Sequence, residues 1–302
     1  MERTITMKRR TFISLMSVMS AAGVLSLSGC GGSSSTAASG AASTAAAPVD
    51  AAAAEHMQIE LTTAPVGMHP LKTNDAPPTY VNGQIFETLY RRTVDGTAYE
   101  PLLASDMPEF SEDGLTATIP LRQDVTFQDG TAFTSADVAY MIDCLKNPDY
   151  GSQRPSIVES IDSYECPDDN TIVLHLAYPD GVLIAKLAHT NSGIVNSKLE
   201  QSGQDFMTDA TGAGTGAYSF VSMVSGATYD LEAYDGYWGG AAEVKKVTFT
   251  VVSDEATAIA RLQTGESDFA PVLSADSYNT ISNIAGYTAE NEPASAVYYL
   301  AL

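Results

Sequence analysis

The sequence predicts an α/β body, on three observations. Two-residue apolar alternation marks strands at 115–121, 171–176 and 217–221. Apolar residues at i, i+3, i+4 and i+7 mark helices, most clearly at Val138, Met141, Ile142 and Leu145. Helix start and stop signals stand where the pattern needs them: Thr134 and Asp137 before that helix, Asp254 and Gly265 around another.

The elements follow in chain order. Residues 58–63 read as a first strand, stopped at Ala64-Pro65. Met68-His69-Pro70 opens a proline-rich loop that lasts to Pro78. Val81, Ile85 and Leu89, with Phe86 beside them, predict a helix over 81–90. Asp113-Gly114 signals a turn, after which Leu115, Ala117, Ile119 and Leu121 alternate with Thr116 and Thr118. Val125 and Phe127 continue the alternation to a second turn at Asp129-Gly130. The helix that starts at Thr134 ends at Asn147-Pro148, because the residue before a proline disfavours helical backbone. Asp169-Asn170 turns into the strand at 171–176, and 182–188 reads as a short helix. The glycine-rich 212–216 leads into the strand at 217–221, and the β-branched 244–252 is another strand. Ser253-Asp254 caps a helix running through Leu262 and Gln263. Residues 297–302 read as a strand, and no segment repeats another.

Residues 1–29 have the form of a targeting segment and are set apart from the fold. Met7-Lys8-Arg9-Arg10 is basic, and 12–27 is an apolar run too short for a comfortable membrane span. It ends in Leu27-Ser28-Gly29-Cys30, which resembles the lipobox of bacterial lipoproteins and makes Cys30 the expected lipidation site. Residues 30–56 are mostly Gly, Ser, Thr and Ala, which cannot bury enough apolar surface to order themselves. They predict a flexible tether. The expectation is a body anchored by lipid to the extracytoplasmic face of the cell membrane.

That body is long enough for two domains or one large one. The chain carries a formal charge of −22. Residues 1–29 hold four basic side chains (Arg3, Lys8, Arg9, Arg10) and one acidic (Glu2), so removing this net +3 leaves about −25. Such acidity argues against nucleic acid and polybasic lipid contacts. Beyond Cys30 only Cys144 and Cys166 remain, without zinc spacing; they read as two buried free thiols, the alternative outside the cell being a Cys144–Cys166 disulfide. His56, His69, His175 and His189 share no metal spacing and read as surface or satisfied core residues. No GxSxG, SxxK or HExxH motif is present. Gly212-Ala213-Gly214-Thr215-Gly216 lacks the Lys-Ser/Thr of a phosphate loop, so backbone geometry is its simpler role. The aspartates at 124, 129 and 137 fail the calcium test. A loop starting at Asp124 would place Thr126 and Gln128 at its third and fifth positions and Asp129 where glycine is needed. Asp129 has work in a turn and Asp137 at a helix start, which leaves no catalytic pair. No cofactor is implied.

Taken in order, the motifs resemble the extracellular solute-binding proteins of ABC transporters, in the oligopeptide/dipeptide/nickel-binding family, family 5. Met68-His69-Pro70-Leu71 stands at that family's Leu-Asp-Pro turn, and Ile85-Phe86-Glu87-Thr88-Leu89 resembles its next helix. Pro101-Leu102-Leu103-Ala104 follows, then the hairpin carried by Asp113-Gly114-Leu115-Thr116 and by Leu121-Arg122-Gln123-Asp124-Val125-Thr126-Phe127-Gln128-Asp129-Gly130-Thr131. The start of the helix at Thr134, Gly214-Thr215-Gly216-Ala217-Tyr218, the Tyr237-Trp238 segment and Leu262-Gln263-Thr264-Gly265-Glu266-Ser267-Asp268 complete eight matches.

The resemblance implies a periplasmic-binding-protein-like (class II type) α/β fold and a binding role, not an enzyme. Its first lobe would comprise 57–85 plus 199–302, with a β-rich α+β subdomain inserted at 86–198. Family members are longer, so a second lobe mostly absent from this chain is implied, as in a fragment or truncated gene product. The family's ligand pairs main chain to main chain with the loop after the Leu-Asp-Pro turn, which maps to Asn74, Asp75 and Ala76. Pro271, Val272 and Leu273 match a cleft-lining stretch, and Tyr298 lies on the strand leading to the hinge. The implied partners are a peptide or other small solute and an ABC permease. The alternatives are a nickel-chelate, haem or other small-solute receptor, or a secreted lipoprotein hydrolase using Asp124 and Asp129.

Overall fold

The alternating segments pair into two four-stranded sheets, and helices cover their apolar faces. The computed structural model describes residues 3–7, 55–74, 76–272, 274–284 and 287–289. Cys30, nearly all of the tether, Asp75, Leu273 and the segment 297–302 with Tyr298 lie outside the described residues. In chain order come β1 (Arg3–Met7), β2 (His56–Leu61), α1 (Ala76–Ile85), β3 (Tyr90–Arg92), β4 (Tyr99–Pro101), β5 (Glu109–Phe110) and β6 (Thr116–Pro120). Then follow α2 (Ser135–Lys146), β7 (Ile161–Asp168), β8 (Thr171–Leu176), α3 (Leu183–Leu187) and α4 (Ser197–Gln201). The chain continues with β9 (Tyr218–Val224), β10 (Thr228–Ala233), β11 (Lys246–Val251), α5 (Glu255–Thr264), β12 (Pro271–Val272), α6 (Ala275–Ser282) and β13 (Tyr287–Ala289).

One sheet has the order β2-β11-β10-β9. β2 and β11 are parallel, in register from His56 with Lys246 to Leu61 with Val251. Parallel neighbours need a crossover, and here everything between the two strands supplies it. The other sheet, β5-β6-β8-β7, is built within that crossover and is antiparallel throughout. Its alternation is the one read from the sequence. Ala117 and Ile119 of β6 and Ile172, Leu174 and Leu176 of β8 face inward. α2 lays Val138, Met141, Ile142 and Leu145 against them, all fully or almost fully buried. Each such side chain contributes about 1.5–3 kcal/mol by leaving water. The inward faces of both sheets belong to one continuous core. A smaller core of Ala258, Leu262, Ala270 and Ile281 lies under α5 and α6.

The helix boundaries show which local signals hold. Asp254 accepts from Thr257 N–H at 2.8 Å, and Gly265 closes α5 with φ 76°. Thr134 N–H donates to Asp137 Oδ2 at 2.9 Å. Asp137 does more than cap, however. It is buried, and its Oδ1 accepts the Ser197 hydroxyl at 2.7 Å, joining α2 to α4. α1 begins earlier than its apolar spacing indicates, inside the proline-rich loop, because prolines in a first helical turn forgo N–H groups that have no partner there. It stops at Ile85 rather than reaching Tyr90. The Gly216 N–H donates to Ile85 O at 2.8 Å, and a Cβ on Gly214 would lie 1.9 Å from that oxygen. The glycine-rich run is therefore a close backbone approach, as its missing phosphate-loop lysine implies.

Other expectations need correction. Val125 and Phe127 are buried but form no strand, only an isolated bridge from Thr126 to Ala132. β7 and β10 are strands the sequence reading passes over. Cys144 is buried and Cys166 exposed, both free, so only one of the two thiols is a core residue. Residues 1–29 are expected to stand apart, yet β1 lies antiparallel between β12 and β13, its Ile5 opposite Ala289 and its Thr4 opposite Pro271.

Candidate ligand-binding site

The loop that follows the Met68-His69-Pro70-Leu71 turn is held from three sides. Met68, His69, Leu71 and Thr73 are buried, whereas Asn74 is exposed. The turn closes on itself: Thr73 Oγ1 donates to His69 O at 2.9 Å, and Leu71 N–H donates to His69 Nδ1 at 3.2 Å. From α1, Asn82 Nδ2 donates to Thr73 Oγ1 at 3.4 Å. From the segment before α4, the buried Asn191 sends its Nδ2 to Pro70 O at 2.6 Å and also to Thr73 O. From the segment after α2, Gln153 N–H reaches Leu71 O at 3.4 Å, and Arg154 Nε donates to Asn74 Oδ1 at 2.6 Å. Pro70, Thr73, Thr79, Asn82, Thr190 and Asn191 line a shallow cleft beneath.

His69 anchors the turn through a buried polar cluster. Its Nδ1 is an acceptor, so the ring proton of the neutral form sits on Nε2. Nε2 lies 3.0 Å from Glu200 Oε1, which also accepts from Tyr150 OH at 2.6 Å and from Lys72 Nζ at 3.4 Å. Lys72 stands 4.1 Å from the centroid of the Tyr150 ring. Burial pushes the Glu200 carboxyl up, but the hydrogen bond and charge of His69, the Tyr150 hydroxyl and Lys72 outweigh it and hold the carboxyl down at about 2. This is the satisfied-core role the sequence allows for His69. Its partners stand 81 and 131 positions away, so no spacing in the sequence could reveal them.

The remaining site expectations fare unevenly. Ala76 begins α1, and Pro271 and Val272 lie on β12 with their backbone paired to β1. Asp75, Leu273 and Tyr298 lie outside the described residues. Asp129 and Asp137 take the turn and helix-start roles expected of them, and Asp124 takes one the sequence does not signal. Asp124 pairs with Arg122, whose hydrogen bond holds its carboxyl below the usual range, and Asp129 Oδ1 accepts from Thr131 N–H at 2.8 Å. Among the described residues, no three His, Cys, Asp or Glu side chains are grouped to hold a metal. A 240 Å³ depression on the outer face of the first sheet is lined by His56, Asp230, Lys246 and Thr248 among others. Within it Thr248 Oγ1 donates to Asp230 at 2.7 Å and lies 2.9 Å from His56 Nε2. It reads as a solvated sheet surface.

A second buried carboxylate draws three motifs together. Glu87 accepts from Tyr237 OH at 2.8 Å, Trp238 Nε1 at 2.8 Å and Thr215 Oγ1 at 2.9 Å. Burial pushes its carboxyl up, against those hydrogen bonds. Arg122 lies 4.0 Å over the Trp238 ring.

The α/β scaffold, with its two four-stranded sheets, has the fold of the periplasmic binding proteins. Residues 98–302 match the model of the bacterial extracellular solute-binding proteins, family 5 Middle, and the chain belongs to that family. Family members are extracytoplasmic solute-binding proteins of ABC importers. Among curated relatives, the chain is 31% identical over 220 residues to the glutathione-binding protein GsiB of Pectobacterium atrosepticum, covering 72% of this chain and 42% of that protein. Among solved structures it is similar to AgaA of A. tumefacien R10 in complex with agropinic acid, with TM-score 0.69 and 27% identity over 75% of this chain and 46% of that one. The oligopeptide-binding protein AppA of Bacillus subtilis, in complex with a nonapeptide, has the same fold, with TM-score 0.70 and 23% identity over 76% and 46%. The chain thus spans less than half the length of these proteins. Among the described residues, no helix is long and apolar enough to cross a membrane.

Proposed function

We propose that the chain is the solute-capturing component of an ABC importer and that it takes short peptides, with glutathione-like tripeptides the best-supported class. The observation that carries this reading is the braced loop. Thr73 and Asn74 are fixed by Asn191 and Arg154, so main chain is presented in one conformation before any ligand arrives. Preorganised main chain is what strand-type peptide recognition needs, because the ordering cost has already been met. The relative named for glutathione supports the small-peptide class.

In this reading Asn74, Asp75 and Ala76 pair with the ligand backbone, while Pro271, Val272, Leu273 and Tyr298 face it across the cleft. Residues 57–85 plus 199–302 form the first lobe and 86–198 the inserted subdomain. Cys30 carries lipid, 30–56 is the leash, and ligand passes to a membrane permease. Processing before Cys30 would also remove β1 and open the two strand edges it bridges. The protein captures ligand and does not transform it. The test is recovery of endogenous ligand with the full chain, read by mass spectrometry and metal analysis. A short peptide supports the reading; a nickel chelate, haem or a hydrolysed product in its place refutes it.

A further inference from the structure

We propose that Arg154 is a specificity residue that selects ligands bearing a carboxylate next to the Asn74 loop. The inference rests on the binding reading above and adds the chemical class of the group recognised. Arg154 is exposed, and its Nε donates to the neutral Asn74 Oδ1 at 2.6 Å. Among the described residues no carboxylate lies within ion-pair distance of it. The chain has 37 acidic and 15 basic Lys and Arg residues. Arg91, Arg122 and Arg261 each meet a carboxylate, at 2.6, 3.0 and 3.1 Å. Carboxylates are plentiful, yet the arginine at the candidate loop is held by an amide.

The geometry gives that arrangement a use. A guanidinium carries five donors in a fixed fork. With Nε bound to Asn74, the two terminal nitrogens remain to grip a carboxylate end-on, and Asn74 fixes the direction in which they point. Such charge-assisted pairs are the stronger hydrogen bonds. The charge is also felt nearby. His189 is pushed down first by burial and then by Arg154, so the positive field reaches the rim of the cleft beside Thr190 and Asn191. A positive site on a protein of formal charge −22 would admit acidic solutes that the rest of the surface repels.

The experiment uses the full chain, Arg154→Gln and four probes: glutathione, its diethyl ester, trialanine and trialanine amide. Gln keeps a donor for Asn74 and removes only the charge, and an unchanged melting temperature confirms that the exposed substitution leaves the fold intact. Calorimetry or NMR titration should show wild type preferring the free acids. Arg154→Gln should weaken glutathione or trialanine at least ten-fold while changing the ester and amide less than two-fold. Equal affinity of wild type for acids and neutral forms, or equal losses on both, overturns the role of Arg154 and leaves the binding function standing. Failure of wild type to bind any of the four overturns the peptide reading, and this inference with it.

Discussion

Replacing Glu200 with Gln tests the buried cluster under the Asn74 loop, because it keeps the side chain's shape and removes its charge. The Glu200 carboxyl is held at about 2 from an ordinary 4.5, and its side chain is only 9% exposed, so solvent screens little of the effect. A depression of about 2.5 units corresponds to roughly 3 kcal/mol of native-state stabilisation at neutral pH. The folded value lies below the unfolded one. The stabilisation is therefore complete above about pH 4.5 and is lost as pH falls toward 2. The substituted amide would retain one acceptor for Tyr150 or His69, so Glu200→Gln should cost about 2–3 kcal/mol at pH 7. For a body of this size that lowers the melting midpoint by roughly 5–10 °C. Denaturant titrations of both proteins at several pH values give a difference curve, from which the other carboxylates cancel. The gap should be widest above pH 5 and should shrink below pH 4. A gap that stays constant from pH 6 to pH 3 would refute the claim that the ionised carboxylate is what holds His69, Tyr150 and Lys72 together.

Other outcomes follow from the same contacts. Gly214→Ala places a methyl 1.9 Å from Ile85 O and should destabilise by more than about 2 kcal/mol, whereas Gly83→Ala in α1 meets nothing within 4 Å and should stabilise by up to about 1 kcal/mol; thermal melts that rank them otherwise would contradict this packing. Asp137→Ala strands the Thr134 N–H and the Ser197 hydroxyl and should cost about 2–4 kcal/mol in denaturant unfolding, with a loss below about 1 kcal/mol speaking against its bridging role. Asp124→Asn with Asp129→Asn should leave ligand affinity unchanged and shift stability by less than about 1 kcal/mol, since one carboxylate makes an exposed pair and the other a turn that Asn also forms. A loss of binding in that double variant would reopen a chemical role for the hairpin.

How much of this is legible in the sequence depends on how local each cause is. Thr134, Asp254 and Gly265 act within three or four residues, and the structure uses them where the pattern places them. β6 and β8 are half-buried strands, so their alternation is visible. β7 is an edge strand, with only Ile161 fully buried, and carries no apolar signature to read. The end of α1 is hidden from local pattern because a glycine-rich segment more than a hundred residues later docks on its last carbonyl. The site is the least legible part. Asn74 can be reached by family resemblance, but Arg154 and Asn191 hold the loop from 80 and 121 positions away, and neither belongs to a motif.

The motifs that reveal the family are joints of the scaffold. Glu87 of one gathers Thr215 of a second and Tyr237 and Trp238 of a third. Glu60 of β2 accepts from Arg261, just before the last motif, and from Ser267 within it, and that motif's Asp268 takes the Gln58 N–H at 2.9 Å. A buried carboxylate with several donors tolerates little change, since losing one partner leaves a charge or a donor unsatisfied. Residues that touch ligand face no such constraint. This separation accounts for a fold shared by proteins crystallised with agropinic acid and with a nonapeptide. On the proposed reading, specificity would lie outside the motifs, in side chains such as Arg154, which is oriented by Asn74 rather than by these joints.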